Sequence, residues 1–173
     1  MNEKRQKLTA LTVSAILAAA ALAASFFERT LTAGLPLPPG VKPGLSNVAV
    51  TFACAVLGLP YALAVTLIKA GFTLLTAGPA AALLSLCGGL LSVLTTFFLL
   101  RLRSDKWSYT GVSAVSGVMH NVGQLAAASA LVGSAMYLNW LPVLLFSGLG
   151  FGLLTGVILN AVMPALVKLK WFR

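Results

Sequence analysis

Long apolar runs, broken by charged clusters or by glycine and proline, occupy nearly the whole chain. A helix crossing a hydrocarbon layer about 30 Å thick needs about 20 apolar residues. On that pattern spans are predicted at about residues 8–27, 45–57, 61–76, 81–100, 109–132 and 141–167. The breaks between them are chemically distinct. Glu28 to Gly44 is the longest polar connection, and Pro36, Pro38, Pro39 and Pro43 make it non-helical and stiff. Gly58-Leu59-Pro60 and Gly78-Pro79 read as tight turns, Arg101 to Ser108 as a charged loop, and Gly133 to Trp140 as a short one. The second span is short, which implies a tilt or a start inside a pocket. The expected fold is all-α: one integral membrane domain over residues 1–173 with six transmembrane helices.

Composition supports this reading. Hydrophobic residues make up 59% and charged residues 9% of the chain, whereas soluble domains carry about 25% charged residues. So few charges cannot cover a water-facing surface, and the remaining surface must face lipid. The net charge of +9 would point to nucleic acid in a soluble domain. Here the charges flank apolar runs, so they are read as topology signals and no nucleic-acid partner is expected. With the N-terminus inside, the inner segments hold Lys4, Arg5, Lys7, Arg101, Arg103, Lys106, Lys168, Lys170 and Arg173, against Arg29 and Lys42 outside. The positive-inside rule then gives both termini in the cytoplasm and a multi-pass protein of the cytoplasmic membrane. The basic start and Ala21-Leu22-Ala23 also fit a cleavable signal peptide. The apolar stretch is long for one, and a first span is the preferred reading.

Trp107, Tyr109, Tyr137, Trp140 and Trp171 fall near predicted span ends, where amphipathic rings favour the headgroup level. Cys54 and Cys87 lie in apolar runs and are read as packing residues; two cysteines make neither a disulfide framework nor a metal motif. No metal and no cofactor are expected. Gly148-Leu149-Gly150-Phe151-Gly152 superficially matches a nucleotide loop but lacks a preceding strand and lies in an apolar run, and no Walker lysine motif is present. Active transport would therefore need a partner or an ion gradient.

Two feature sets are candidates for function. Ala15, Ala19 and Ala23 recur at four-residue spacing in the first span, as do Gly148, Gly152 and Gly156 in the last. Each stripe lets another helix approach closely, either within the bundle or on a partner. The second set is polar. Lys69 lies midway through the third span, His120 midway through the fifth, with Asn121 beside it and Gln124 one turn further. Asn47 sits at the outer end of the second span and Lys42 in the Pro-rich loop before it. Polar groups at such depth face an interior or a cavity, either as a ligand site or as clamps between helices. No acid lies in a predicted span, so Lys69 has no expected carboxylate partner within the chain; it snorkels to an interface, is deprotonated, pairs with carbonyls or with Asn and His, or meets a ligand with an anionic or strongly accepting group. Asn160 is read as a packing residue.

Pro38-Pro39-Gly40-Val41-Lys42-Pro43-Gly44-Leu45-Ser46-Asn47, Gly88-Gly89-Leu90-Leu91-Ser92 and His120-Asn121-Val122-Gly123-Gln124 together resemble the Gx transporter family, also labelled heptaprenyl diphosphate synthase component I. That family is similar to the substrate-binding S components of energy-coupling factor transporters. The resemblance implies a six-helix S-component-like bundle whose alanine-rich first helix docks a coupling membrane protein served by ATPase subunits. Ala15, Ala19 and Ala23 match the docking helix. Lys42, Asn47 and Gln124 fall where such proteins hold ligand, and Lys69, His120 and Asn121 complete the expected site. The implied function is capture of a vitamin-like small molecule or precursor. The alternative is a non-catalytic membrane accessory of polyprenyl diphosphate or quinone synthesis. Prenyl transfer uses clustered aspartates to hold magnesium, and Asp105 is the chain's one aspartate. No enzyme activity and no catalytic residue are expected.

Overall fold

The computed structural model describes residues 3–32, 44–102, 108–133 and 139–168, excepting the side chains of 32 and 166–168. Among these residues all regular structure is helical: α1 (Glu3–Thr32), α2 (Leu45–Val56), α3 (Leu59–Arg101), α4 (Tyr109–Val132) and α5 (Leu141–Lys168). Three stretches are long and apolar enough to cross a membrane: Glu3–Leu31, Leu59–Arg101 and Leu141–Ala165. The chain is a helical membrane protein.

The α1 boundary differs from the sequence expectation. Helix α1 continues past Phe27 to Thr32, so Glu28 and Arg29 belong to a helix and not to the loop. The two runs expected on either side of Gly78 are two helical arms of α3, joined at Gly78, whose φ 85° and ψ 176° are not helical. The element folds back there. Thr66 and Gly89 are in contact: a Cβ added at Gly89 would lie 2.6 Å from Thr66 Cγ2. In a straight helix those residues would be roughly 35 Å apart at 1.5 Å per residue. Gly78 is nearly midway between them, so residues 59–77 and 79–101 form two antiparallel arms. Glycine takes this positive φ without the Cβ penalty, and Pro79 starts the second arm with no N–H to satisfy.

Contacts between neighbouring rods give their directions. Ser46 and Asn47 at the start of α2 meet Glu28 near the end of α1 and Lys69 in the first arm of α3. Thr96 in the second arm meets Ser116 of α4, and Asn160 of α5 meets Thr110 of α4. The result is an up-and-down bundle of six rods in which α2 and α5 run parallel. Ala18 and Ala21 of α1 pack with Ala49, Ala53 and Cys54 of α2, with Ala62 and Val65 of the first arm and with Val93 of the second arm. The second arm of α3, α4 and α5 touch backbone to backbone. A Cβ on Gly117 would lie 2.4 Å from the Gly148 carbonyl oxygen, and one on Gly156 would lie 2.3 Å from Thr110 Cα. The Gly148, Gly152 and Gly156 stripe therefore packs inside the bundle. Phe52 of α2 joins Leu159 and Met163 of α5 in a separate apolar cluster, with Val56 and Tyr109 against it.

The alanine stripe behaves differently. Ala15, Ala19 and Ala23 are all exposed, while Ala18 and Ala21 carry the internal packing of α1. Leu8, Leu11, Ile16 and Phe26 are exposed on the same helix, so beyond its charged first turns its outer surface is largely apolar.

Candidate functional site

A cavity lies inside the bundle, lined mostly by residues with polar side chains. Ser25, Glu28 and Arg29 of α1, Ser46, Asn47 and Thr51 of α2, and Lys69 and Thr73 of the first arm line one side. Ser85 and Ser92 of the second arm, Ser113, Ser116, His120, Asn121 and Gln124 of α4, and Thr155 of α5 line the other. Apart from glycines, Phe151 is the one apolar residue in the lining. The α4 positions follow helical spacing along one face, from Ser113 to Gln124. They cover about 16 Å of helix, more than half of a hydrocarbon layer about 30 Å thick. Facing this cavity lowers the hydropathy of α4, which is long enough to cross a membrane and yet is not among the three apolar stretches.

Five of the residues expected to bind ligand converge here: Asn47, Lys69, His120, Asn121 and Gln124. Lys42 lies outside the described residues. Lys69 is 3% exposed and donates from Nζ to Asn47 Oδ1 at 3.0 Å and to Ser46 Oγ at 3.4 Å. Glu28, 1% exposed, accepts the Ser46 N–H at 3.0 Å and the Ser46 hydroxyl at 3.4 Å. A buried carboxylate thus stands in the same hydrogen-bonded cluster as Lys69, contrary to the expectation that the lysine had none nearby. The cause is the extra turn of α1, which carries Glu28 into the bundle. The backbone N–H that Glu28 accepts belongs to the first turn of α2, where the helix's own N–H groups lack intrahelical partners.

On the opposite wall, Gln124 Nε2 lies 3.1 Å from His120 Nε2. Which of the two groups donates follows from the imidazole tautomer and the orientation of the amide. Gly88 makes room for this pair: a Cβ there would lie 2.7 Å from Gln124 Cγ and from the His120 carbonyl oxygen. Gly123 in turn packs against the Cys87 and Gly88 backbone. The Gly88-Gly89 and His120-to-Gln124 motifs, far apart in sequence, form one interlocked contact. Asn121 is a clamp, donating from Nδ2 to the Leu144 carbonyl at 2.7 Å and to Ser147 Oγ at 3.2 Å. Asn160, expected to pack, bonds Thr110. Two buried polar atoms in the lining, Gln124 Oε1 and Ser113 Oγ, have no hydrogen-bond partner.

The sequence reading missed Glu28, Arg29 and the hydroxyl groups of this wall. Serines and threonines in apolar helices commonly bond back to the carbonyl four residues earlier, as Thr66, Thr73 and Thr155 do. Their presence alone therefore does not mark a cavity. The recurrence of Ser113, Ser116, His120 and Gln124 at helical spacing was the available signal.

These features define a helical membrane protein with a polar cavity inside its bundle. The chain belongs to the family described as heptaprenyl diphosphate synthase component I, whose profile matches residues 17–162. No curated protein and no solved structure matches it. The family description, a component I, implies a partner component.

Proposed function

We propose that this protein is the substrate-binding membrane subunit of an energy-coupling factor type transporter, taking up a small molecule across the cytoplasmic membrane. The observation that carries the reading is the cavity itself. Buried polar groups in a membrane bundle are costly and mark ligand or ion pathways, and here they come from all six rods. In this reading the six rods are six crossings with both termini inside, as the positive charges require. Helix α2 is about 18 Å long by its 12 residues, shorter than a hydrocarbon layer about 30 Å thick.

The packing suggests a mechanism. Glycine contacts hold the second arm of α3, α4 and α5 together, and the small-residue core joins α1, α2 and both arms of α3. The Phe52–Leu159–Met163 cluster closes the cavity at the end where α2 finishes and α4 begins. Relative movement of the helices around the cavity would open it to one side and then the other. The exposed Ala15, Ala19 and Ala23 would dock the coupling membrane protein, whose ATPase partners supply the energy.

The alternative is a membrane accessory of polyprenyl diphosphate synthesis, which the family description favours equally. Two unpartnered groups in the lining, Gln124 and Ser113, argue against a prenyl chain inside the bundle, because hydrocarbon there would leave them unsatisfied. Neither role makes the chain itself a catalyst.

Affinity purification of the tagged chain in mild detergent separates the two roles. Co-purification of a coupling membrane protein and ATPases, lost in Ala19→Trp, supports the transporter. Recovery of a soluble prenyltransferase subunit in their place overturns it.

A further inference from the structure

The cavity ends abruptly at one end of the bundle. On α5, Phe151 and Thr155 line it. The next two residues at the same four-residue spacing, Leu159 and Met163, are 1% and 5% exposed and belong to an apolar cluster with Phe52. That spacing keeps all four on one face of the helix. On α4, Ser113 lines the cavity, and Tyr109, one turn earlier, packs against the cluster. On α2, Thr51 lines the cavity and Phe52 is the next residue. Within about one turn on these helices the lining gives way to a floor of Phe52, Leu159 and Met163.

The groups above the floor call for water. Gln124 and Ser113 both line the cavity at 3% and 2% exposure, and Gln124 Oε1 and Ser113 Oγ have no hydrogen-bond partner in the protein. Buried polar groups left unsatisfied are destabilising. The cavity volume is about 30 Å³, room for two or three waters at roughly 10–15 Å³ each. Water both donates and accepts, so it satisfies the hydroxyl and either orientation of the amide.

The two sides of the floor are held differently. Leu159 and Met163 belong to α5, which is seated on the α4 backbone. A Cβ on Gly152 would lie 2.6 Å from the Ser113 carbonyl oxygen, and one on Gly156 would lie 2.3 Å from Thr110 Cα. Phe52 comes from α2, a 12-residue helix bounded by two glycines at positive φ, Gly44 at 80° and Gly58 at 91°. Displacing this one aromatic side chain opens the floor and leaves the α4–α5 contact in place.

We infer that Phe52 is a hydrophobic gate: against Leu159 and Met163 it seals a hydrated cavity at the end of the bundle where the second arm of α3 finishes and α4 begins. An apolar constriction holds back water and polar solutes because they find no hydrogen-bond partner in it. The inference deepens the binding-subunit reading, on which its role in transport rests, by naming the residue that must move before a solute leaves at that end.

Thiol labelling of the purified full chain in mild detergent tests the gate. In a Cys54→Ala, Cys87→Ala background, Ser113→Cys places a thiol just above the floor. Ser85→Cys places one in the lining nearer the Gly78 fold, toward the other end. The probe is a small methanethiosulfonate, which reacts with the ionised thiol and so reports water at the sulfur. Phe52→Ala should raise the Ser113→Cys rate by roughly tenfold or more, a factor that corresponds to about 1.4 kcal/mol off the cost of opening. The Ser85→Cys rate should change little, and Phe52→Leu, which keeps the floor apolar and largely filled, should stay near the parent. Where Phe52→Ala fails to fold, Met163→Ala carries the same expectation from the other side of the floor. Equal Ser113→Cys rates with and without the side chain, or equal acceleration at both thiols, overturn the gate. Co-purification of the ATPases is scored separately, so failure of the gate and failure of the transporter reading are distinguishable.

Discussion

Glu28 and Lys69 hold the same residue from opposite sides: the carboxylate accepts the Ser46 N–H at 3.0 Å, and the ammonium donates to Ser46 Oγ at 3.4 Å. The three residues come from α1, α2 and the first arm of α3, so the cluster fastens these three rods together at the edge of the cavity. Removing one charged member leaves the other buried with less compensation, which costs about 3–5 kcal/mol for buried pairs. Lys69→Met and Glu28→Gln should each lower the unfolding midpoint. The double variant should be less destabilised than the sum, with a coupling of roughly 0.5–3 kcal/mol. Additive losses in a thermal double-mutant cycle would show that the two charges act independently.

The glycine contacts of α4 and α5 predict a sharp contrast between neighbouring positions. Gly117→Ala would put a methyl group 2.4 Å from the Gly148 carbonyl oxygen, whereas Gly150 has no atom within 4 Å of its added Cβ. Overpacking of this kind costs about 1–3 kcal/mol. Gly117→Ala should lose folded yield and melt early, and Gly150→Ala should match the parent in size-exclusion and melting profiles.

The fold-back of α3 depends on Gly78, at φ 85°. With ψ 176° this is a backbone region essentially restricted to glycine, and a residue with a Cβ is strained there by about 1–3 kcal/mol. Space is not limiting, since nothing lies within 4 Å of an added Cβ there. Gly78→Val should therefore destabilise through backbone strain alone, by about that amount. Gly71→Val, helical and with nothing within 4 Å of its added Cβ, should cost less in the same chemical-denaturation series.

Two alanines one residue apart on α1 should separate folding from partner binding. Ala18 is buried at 5% exposure and Ala19 is exposed. Ala18→Trp should disrupt the α1–α2 core and reduce folded protein. Ala19→Trp should leave the melting temperature unchanged and, if the proposed docking role holds, remove co-purifying partner proteins. Equal melting losses in both variants would show that the Ala19 face is used within the bundle.

Much of this molecule was legible from its sequence. The apolar runs, the scarcity of charge and the punctuation at Gly58, Gly78 and Pro79 determined a helical membrane protein, because an apolar backbone in lipid must satisfy its own hydrogen bonds. The mid-helix positions of Lys69, His120, Asn121 and Gln124 marked them as cavity or clamp residues. The tertiary structure decided which was which: Asn121 ties α4 to α5, while Lys69, His120 and Gln124 stand on two walls of one cavity. It also brought Glu28 into the bundle, which the sequence placed in a loop because polar residues at a span end look the same whether the helix stops or continues. The two small-residue stripes were alike in spacing. Only packing separated them, burying Gly148, Gly152 and Gly156 against α4 and leaving Ala15, Ala19 and Ala23 exposed. Spacing along a helix fixes which residues share a face; which face meets a neighbour is set by contacts between rods distant in the chain.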